Sequence, residues 1–446
     1  MAEFVKQAAQ LTALGPLTWL SEFCSEAQQQ WLGATLPNRK VENWKYTNIR
    51  ALEQGDYLNL ATKAGDAAVS TESDCQKTVA ICDIAGLDSV RMVFVNGELC
   101  ERLSEGFDRL PAGVQLVNFA KTNSAQQDLI KRHLGSALDT TKHPFTALNA
   151  SQLVDGVFLH VGKNTVCETP IQIVHLQATT DQAITIQQRL LVVLEPNSQA
   201  TVVEHFPDSA NVKAFTNGVT ELLLAENAQL NHYRLNLEGD QTFHLGGVHA
   251  RLAAGANLNS FYLALGSVLK RNDVVVYHAG SGAHCDINGL YLPRGNEQVD
   301  YHTCIEHAVP HCTSDENFRG IIADSAKAIF NGRIHIHRQA QKTLAQMSNK
   351  NLLTSNKAEI DTKPELEIYA DDVQCAHGAT IAQLDDTAMH YLRTRGVSAA
   401  EARVILSFGF INELVNDVKH EAIARYLRPF LAKSFVKDET LTRHIL

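Results

Sequence analysis

Gln188–Ser198 reads QRLLVVLEPNS, a run of large aliphatic residues that stops on a Pro-Asn-Ser corner. Such a run, rich in Leu and Val and bounded by turn residues, is a buried strand followed by a tight turn at Asn197-Ser198. The same sign recurs on both sides. Corners built on Asn or Gly plus a small residue stand at Asn164-Thr165, Asn227-Ala228, Gly255-Ala256 and Gly282-Ala283, with weaker copies at Ser325-Ala326 and Gly378-Ala379. The clear corners lie about 26–33 residues apart, a period of stacked repeats. Asn and Gly are the residues that tolerate a left-handed backbone at a corner. Between them lie further strand-like runs such as Val274–Tyr277 (VVVY) and Leu290–Leu292. No long amphipathic helix is expected between about 157 and 380, which disfavours doubly wound and barrel α/β folds, whose parallel crossovers need helices. A sandwich also has short strands and frequent turns. The steady spacing favours stacked coils, so the fold predicted is mainly β, a parallel β-helix.

Outward from this core, three regions are expected: an N-terminal helical region with a small β element over 1–150, the β-helix over 151–385 and a helical domain over 386–446. Phe4, Ala8 and Leu11 share a helical face that Gly15-Pro16 breaks. A second helix from about Thr18 carries Trp19, Leu20, Phe23 and Trp31, and Leu36-Pro37-Asn38 stops it. Arg39–Thr47 (RKVENWKYT) interleaves aromatics with Lys; this reads as a packed aromatic turn with solvated charges rather than a base-stacking surface. Residues 51–85 are polar and read as a linker. Arg91–Leu99 is a strand entering an Asn96-Gly97 turn, and a helical patch is expected to follow through about 140. In the tail, Ser398-Ala-Ala-Glu401 is a capping box. Val404, Ile405, Phe408, Ile411 and Val415 then form an apolar stripe, and a second helix over Glu421–Phe435 contains Pro429. Neither helix buries its stripe alone; each needs the solenoid, the other helix or a partner.

Bulk properties narrow the function. The 446 residues are 45% hydrophobic and 20% charged, with a formal net charge of -10. There is no basic run, so nucleic acid is not an expected partner. The N-terminus lacks the apolar core of an export signal, and no apolar run reaches the ~20 residues that span a bilayer. A cytoplasmic protein with no membrane partner is expected. The nine cysteines are scattered and odd in number, which reads as free thiols or ligands rather than a disulfide framework.

Phosphate-loop chemistry is excluded. Gly156–Asn164 (GVFLHVGKN) has five residues between its glycines instead of four, and Asn164 where a hydroxyl should meet magnesium. His420-Glu421 lacks the second His of a zinc-protease helix, since Ala424 stands there. Cys304, His307, His311 and Cys312 are four potential zinc ligands within nine residues. Structural zinc sites gather well-separated pairs, so strand residues are the expected reading. His335 and His337 share a strand face and can chelate a metal, or simply form a polar outer face. Cys375 and His377 have the same i, i+2 relation. Thiolate and imidazole together suit iron, whereas parallel side chains do not suit a nucleophile–base hydrogen bond.

Several segments together resemble the SufB/SufD family of iron–sulfur cluster assembly proteins, on its SufD side. They are Pro37–Thr47 (PNRKVENWKYT), Val93–Gly97, Phe145–Asn149 with Asp155-Gly156, Phe330-Asn-Gly332, Asn349–Leu353, Asp361–Val373 (DTKPELEIYADDV), Cys375–Thr380 (CAHGAT) and Tyr391–Gly396 (YLRTRG). The resemblance implies a right-handed parallel β-helix between helical ends. It implies pairing with a SufB-like paralogue through the β-helices and docking of a SufC-like ABC ATPase on the C-terminal helical region, where Arg395, Gly396, Phe408 and Phe410 are the candidate contacts. It further implies a transient iron–sulfur cluster at the interface with the paralogue, built with sulfur from a cysteine desulfurase and electrons from a flavin, and none held tightly by the isolated chain. His377 of the C-x-H-G motif is then the leading iron or cluster ligand, with Cys375 second. In SufB-like chains a scaffold cysteine sits in N-x-x-Q-C-D; here Asn351–Asn356 reads NLLTSN, so Ser355 replaces the thiol. The chain is therefore expected to be a non-catalytic scaffold subunit. The rivals are a carbohydrate-active β-helix enzyme and a purely structural homodimer. Asp371 and Asp372 are adjacent and point to opposite faces, so they are not the carboxylate pair such an enzyme uses.

Overall fold

The computed structural model describes residues 17–55, 57–59, 80–178, 183–208, 212–239 and 241–435. The corners organise it. Asn164, Asn197, Asn227, Gly255 and Gly282 all have left-handed backbone, with φ from 57° to 75°. Each sits directly beneath the next: the N–H of Asn164 donates to Pro196 O, that of Asn197 to Glu226 O and that of Asn227 to Ala254 O, each at 2.9 Å. The amides stack as well, Asn197 Nδ2 donating to Asn164 Oδ1 at 2.9 Å and Asn227 Nδ2 to Asn197 Oδ1 at 3.1 Å. The small residues that follow, Ser198, Ala228, Ala256 and Ala283, are fully buried. The column continues at His311-Cys312 and Lys342-Thr343, where His311 (φ 61°) and Lys342 (φ 60°) take the left-handed position without being Asn or Gly. The two weak copies are corrected. Ser325-Ala326 follows a left-handed Asp324 at a different corner, stacked above Gly295 through Ser325 N to Gly295 O. Gly378-Ala379 is no corner at all; it lies within a strand.

Among the described residues, four strands precede the repeats: β1 (Leu58–Asn59), β2 (Val90–Val95), β3 (Glu98–Glu105) and β4 (Val114–Asn118). One long sheet then stacks β5 (Val157–Val161), β7 (Ile184–Leu194), β9 (Ala214–Leu224), β11 (Thr242–Leu252), β13 (Leu269–His278), β15 (Gln298–His307), β17 (Lys327–Ile336) and β19 (Glu359–Ile368). The other stacks β6 (Ile171–Leu176), β8 (Gln199–Phe206), β10 (Gln229–Asn236), β12 (Asn257–Leu265), β14 (His284–Leu292), β16 (Thr313–Ile322), β18 (Leu344–Leu353) and β20 (Gln374–Ala382). Every pairing between successive coils is parallel, in a β-solenoid of about eight turns. The lumen is filled by columns of residues in register. Val192, Leu222, Ala250, Val276, Ile305 and Ile334 are Cα partners from coil to coil, and each is buried. Full burial of such a side chain stabilises by about 1.5–3 kcal/mol.

At the N-terminal end each sheet closes with antiparallel pairing. β4 runs against β5, and β2, itself parallel to β6, turns back into β3 through left-handed Asn96 and Gly97. The expected Asn-Gly hairpin is thus present. The helical patch expected from about 100 to 140 is instead β3, β4, two short 3-10 turns (Phe107–Arg109 and Phe119–Lys121) and one α-helix, Ser124–His133. Part of the expected linker is also ordered: Arg50–Glu53 is a helical turn, and Tyr57 is buried against Phe215 and Phe243. The first predicted helix, with Phe4, Ala8 and Leu11, lies outside the described residues. The second is Ser21–Gly33. Its Trp31 joins Trp44 and Phe145 over the outer face of the first sheet. The Arg271 guanidinium lies 3.8 Å from the centre of the Trp44 ring and donates to Asn43 O at 2.8 Å, so Arg39–Thr47 is the packed aromatic turn its sequence suggests.

The tail folds back along the outer face of the second sheet. Ile411, Leu414 and Val415 of helix Ala399–Asn416 and Ile423, Leu427 and Leu431 of helix Glu421–Phe435 bury Leu235, Leu263, Leu290, Ile321 and Leu352. The capping box at Ser398 and Glu401 is formed on both sides. No helix among the described residues is long and apolar enough to cross a membrane.

Candidate functional site

The last coil differs from the rest. β19 pairs only with β17 and β20 only with β18, leaving one edge of each free of any strand among the described residues. Side chains of parallel Cα partners point the same way. Cys375 stands opposite Ala345 and His377 opposite Met347, and both of those residues belong to the lumen core. Cys375 and His377 therefore face the lumen, at its open end. Cys375 closes the column Ala200, Leu230, Leu258, Cys285, Ser314 and Ala345. His377 closes the column Val202, His232, Ser260, Ile287, Glu316 and Met347. The Cys375 thiol is half-buried, and that burial raises its pKa above the ordinary value. His377 is exposed. Around them Ile368, Tyr369 and Ile381 are 40%, 58% and 52% exposed. Ser355 lies on the turn between β18 and β19, where its Oγ accepts from Lys357 N at 3.2 Å.

The Cys304–Cys312 segment does not converge. Cys304 faces outward from the first sheet, and Arg333 Nη2 donates to its Sγ at 3.3 Å. His307 faces the lumen and stacks on His278 with ring centres 4.3 Å apart. Burial pushes His307 down to about 2. His311 forms a corner, and the Cys312 Sγ donates to Gly280 O inside it. Alternation and the corner thus send the four groups in different directions. His335 and His337 do share an outer face, and the structure adds a carboxylate that the linear sequence did not point to. Glu306 is the Cα partner of His335 on the adjacent strand, visible only once the register of β15 against β17 is known.

In the tail, helix Asp386–Thr394 buries none of its residues, and Tyr391 is 58% exposed. Arg395 and Gly396 follow it on an exposed turn, with Gly396 in the left-handed region. Phe408 and Phe410 are half-buried. Arg319 donates to Phe410 O at 2.6 Å, and the Arg428 guanidinium lies 5.9 Å from the Phe408 ring centre.

Two family models cover almost the whole chain. The SufBD protein N-terminal region matches residues 2–173, and the SUF system FeS cluster assembly SufBD core domain matches residues 176–410. The chain belongs to the SufBD family of iron–sulfur cluster assembly proteins. The iron–sulfur cluster assembly protein SufD of Escherichia coli (strain K12) is 31% identical over 89% of this chain and 88% of its own length. SufD of Bacillus subtilis (strain 168) is 27% identical over 92% of each chain. Protein ABCI7, chloroplastic, of Arabidopsis thaliana is 23% identical over 88% of this chain and 81% of its own. The core match runs from the last residue of β6 into helix Ala399–Asn416, so the open coil and its Cys375–His377 pair lie inside the SufBD core domain.

Proposed function

We propose that this chain is the SufD-like, non-catalytic scaffold subunit of a cytoplasmic iron–sulfur assembly complex. It pairs with a SufB-like paralogue across the open end of the β-helix. The observation that carries this reading is the uncovered last coil: two lumen-facing rows that are buried in earlier coils end in the open at Cys375 and His377. A bare parallel edge with exposed Ile and Tyr is a template for another strand, and a lone chain gains nothing by leaving it bare. A paralogue seated there would place its own groups against His377, which we assign to iron or nascent-cluster binding, with Cys375 as the auxiliary thiol. The cluster is transient and held between the chains. The helix Asp386–Thr394, which buries none of its residues, is assigned with Arg395, Gly396, Phe408 and Phe410 to an ABC-type ATPase of the SufC kind, and nucleotide hydrolysis is that partner's task.

The test is an anaerobic pull-down of the tagged chain from its native cytosol, with co-purifying chains identified by mass. An ABC ATPase together with a cysteine-bearing paralogue supports the assignment. Recovery of the chain alone, or as a homodimer whose gel-filtration position is unchanged by added paralogue, overturns it.

A further inference from the structure

One cluster of metal-binding side chains lies apart from the open end. Glu306 on β15 and His335 on β17 are Cα partners in adjacent parallel strands, and His337 follows two residues on, where its N–H continues the ladder to His307 O at 2.9 Å. All three side chains project from the outer face of the first sheet. Their ligand atoms lie within 4.8 Å of one another. Glu306 Oε1 is 2.6 Å from His337 Nε2 and 3.8 Å from His335 Nδ1, and the two imidazole rings stack with centres 4.6 Å apart. The side chains are 21%, 23% and 34% exposed, which holds them in place yet leaves one side open. Tyr369 packs edge-on against His335 and limits its rotation.

We propose that Glu306, His335 and His337 bind a divalent first-row transition-metal ion. Two imidazoles and one carboxylate on one face suit Fe(II), Co(II) or Zn(II) better than Mg(II) or Ca(II), which take oxygen ligands. Three protein ligands leave coordination positions for water or a further ligand. The geometry is largely preformed because the ladder sets the spacing of Glu306 and His335 and strand alternation sets that of His335 and His337. The metal takes the place of the hydrogen between Glu306 and His337, with the His337 proton carried on Nδ1. None of the three ligands lies on the last coil, from which Tyr369 packs on His335, and all three face outward whereas His377 faces the lumen, so this site is separate from the role assigned to His377.

The experiment is titration of Co(II), and separately Fe(II) under anaerobic conditions, into the full-length, tag-free, metal-stripped protein. It is followed by calorimetry and by the visible absorption of bound Co(II). One equivalent is expected, with His335→Ala and His337→Ala each weakening binding at least about tenfold. Glu306→Gln keeps the shape of the side chain and removes the charged ligand, so it is expected to weaken binding while leaving the circular dichroism and melting curve unchanged. His284→Ala, which removes a half-buried histidine on β14 of the other sheet, is expected to leave binding unchanged. Wild-type binding weaker than about 1 mM, or equal binding by wild type and the His335→Ala/His337→Ala double variant, overturns the proposal. So does loss of binding on changing His284 alone.

Discussion

The inner coils and the last coil are built from the same unit and behave in opposite ways. Val276, Ile305 and Ile334 are buried because each has a coil above and below. Leu366, next in the same column, is half-buried, and Ile368 beside it is 40% exposed. The sequence hardly changes between them; the number of neighbours does. The contrast also holds for polar groups. Glu204 in the lumen accepts from Arg234 at 2.9 Å and Thr220 at 2.6 Å, and lies 2.8 Å from His232. Burial by itself would raise its pKa, but Arg234 and His232 hold it far below the ordinary carboxylate range. Asp371 and Asp372, at the last corner, are exposed instead, and Asp372 pairs with Lys342 only at the surface. Inner coils bury their apolar and charged groups alike, and the last coil leaves its own open to solvent.

The sharpest way to break this contrast is Arg234→Ala, which leaves the buried Glu204 carboxylate with only His232 and Thr220 of these three partners. A loss of about 3–5 kcal/mol is expected in urea unfolding. A loss below about 1 kcal/mol would mean that the lumen is wet. Glu316 probes the same interior by pH. Burial raises its carboxyl from 4.5 to about 8. The folded chain therefore prefers the protonated form. Its contribution is complete below pH 4.5 and is lost as pH rises through about 8. In Glu316→Gln, stability from pH 5 to 9 should fall less steeply than in wild type, by an amount on the order of a few kcal/mol at the alkaline end. An unchanged slope would show that Glu316 is ionised in the folded state. Packing sharpens the comparison further. Ile305→Ala should cost about 2–5 kcal/mol. Leu366→Ala in the same column should cost about 1 kcal/mol or less in the isolated chain, and the gap should narrow when a partner covers the last coil. Equal costs would mean that the last coil is already covered. The smallest effect on stability belongs to His377→Ala, within about 0.5 kcal/mol of wild type. Cluster yield on reconstitution with the partners should nevertheless fall, and normal yield would remove His377 from the site.

Much of this was legible because it is local. Asn164, Asn197, Asn227, Gly255 and Gly282 mark corners through their own backbone preference, and the Ser398–Glu401 capping box needs only four consecutive residues. His311 and Lys342 occupy the same corner column but were not legible, since the hydrogen bonds of neighbouring coils, not their own propensity, hold them left-handed. Gly378 shows the converse: a Gly-Ala pair with the composition of a corner sits in a strand because its register opposite Ser348 places it there.

The i, i+2 spacing of Cys375 and His377 determined from sequence alone that the two side chains share a face. It left open which face, because alternation has two phases, and the pairing with Ala345 and Met347 chose the lumen. Likewise the spacing of His335 and His337 determined a pair, while Glu306 joined them only through the ladder. Residue type and short spacing act within a few bonds and can be read along the chain. Which strand lies beside which, and which end has no neighbour, depends on contacts between residues about thirty positions apart, and those only the folded coils decide.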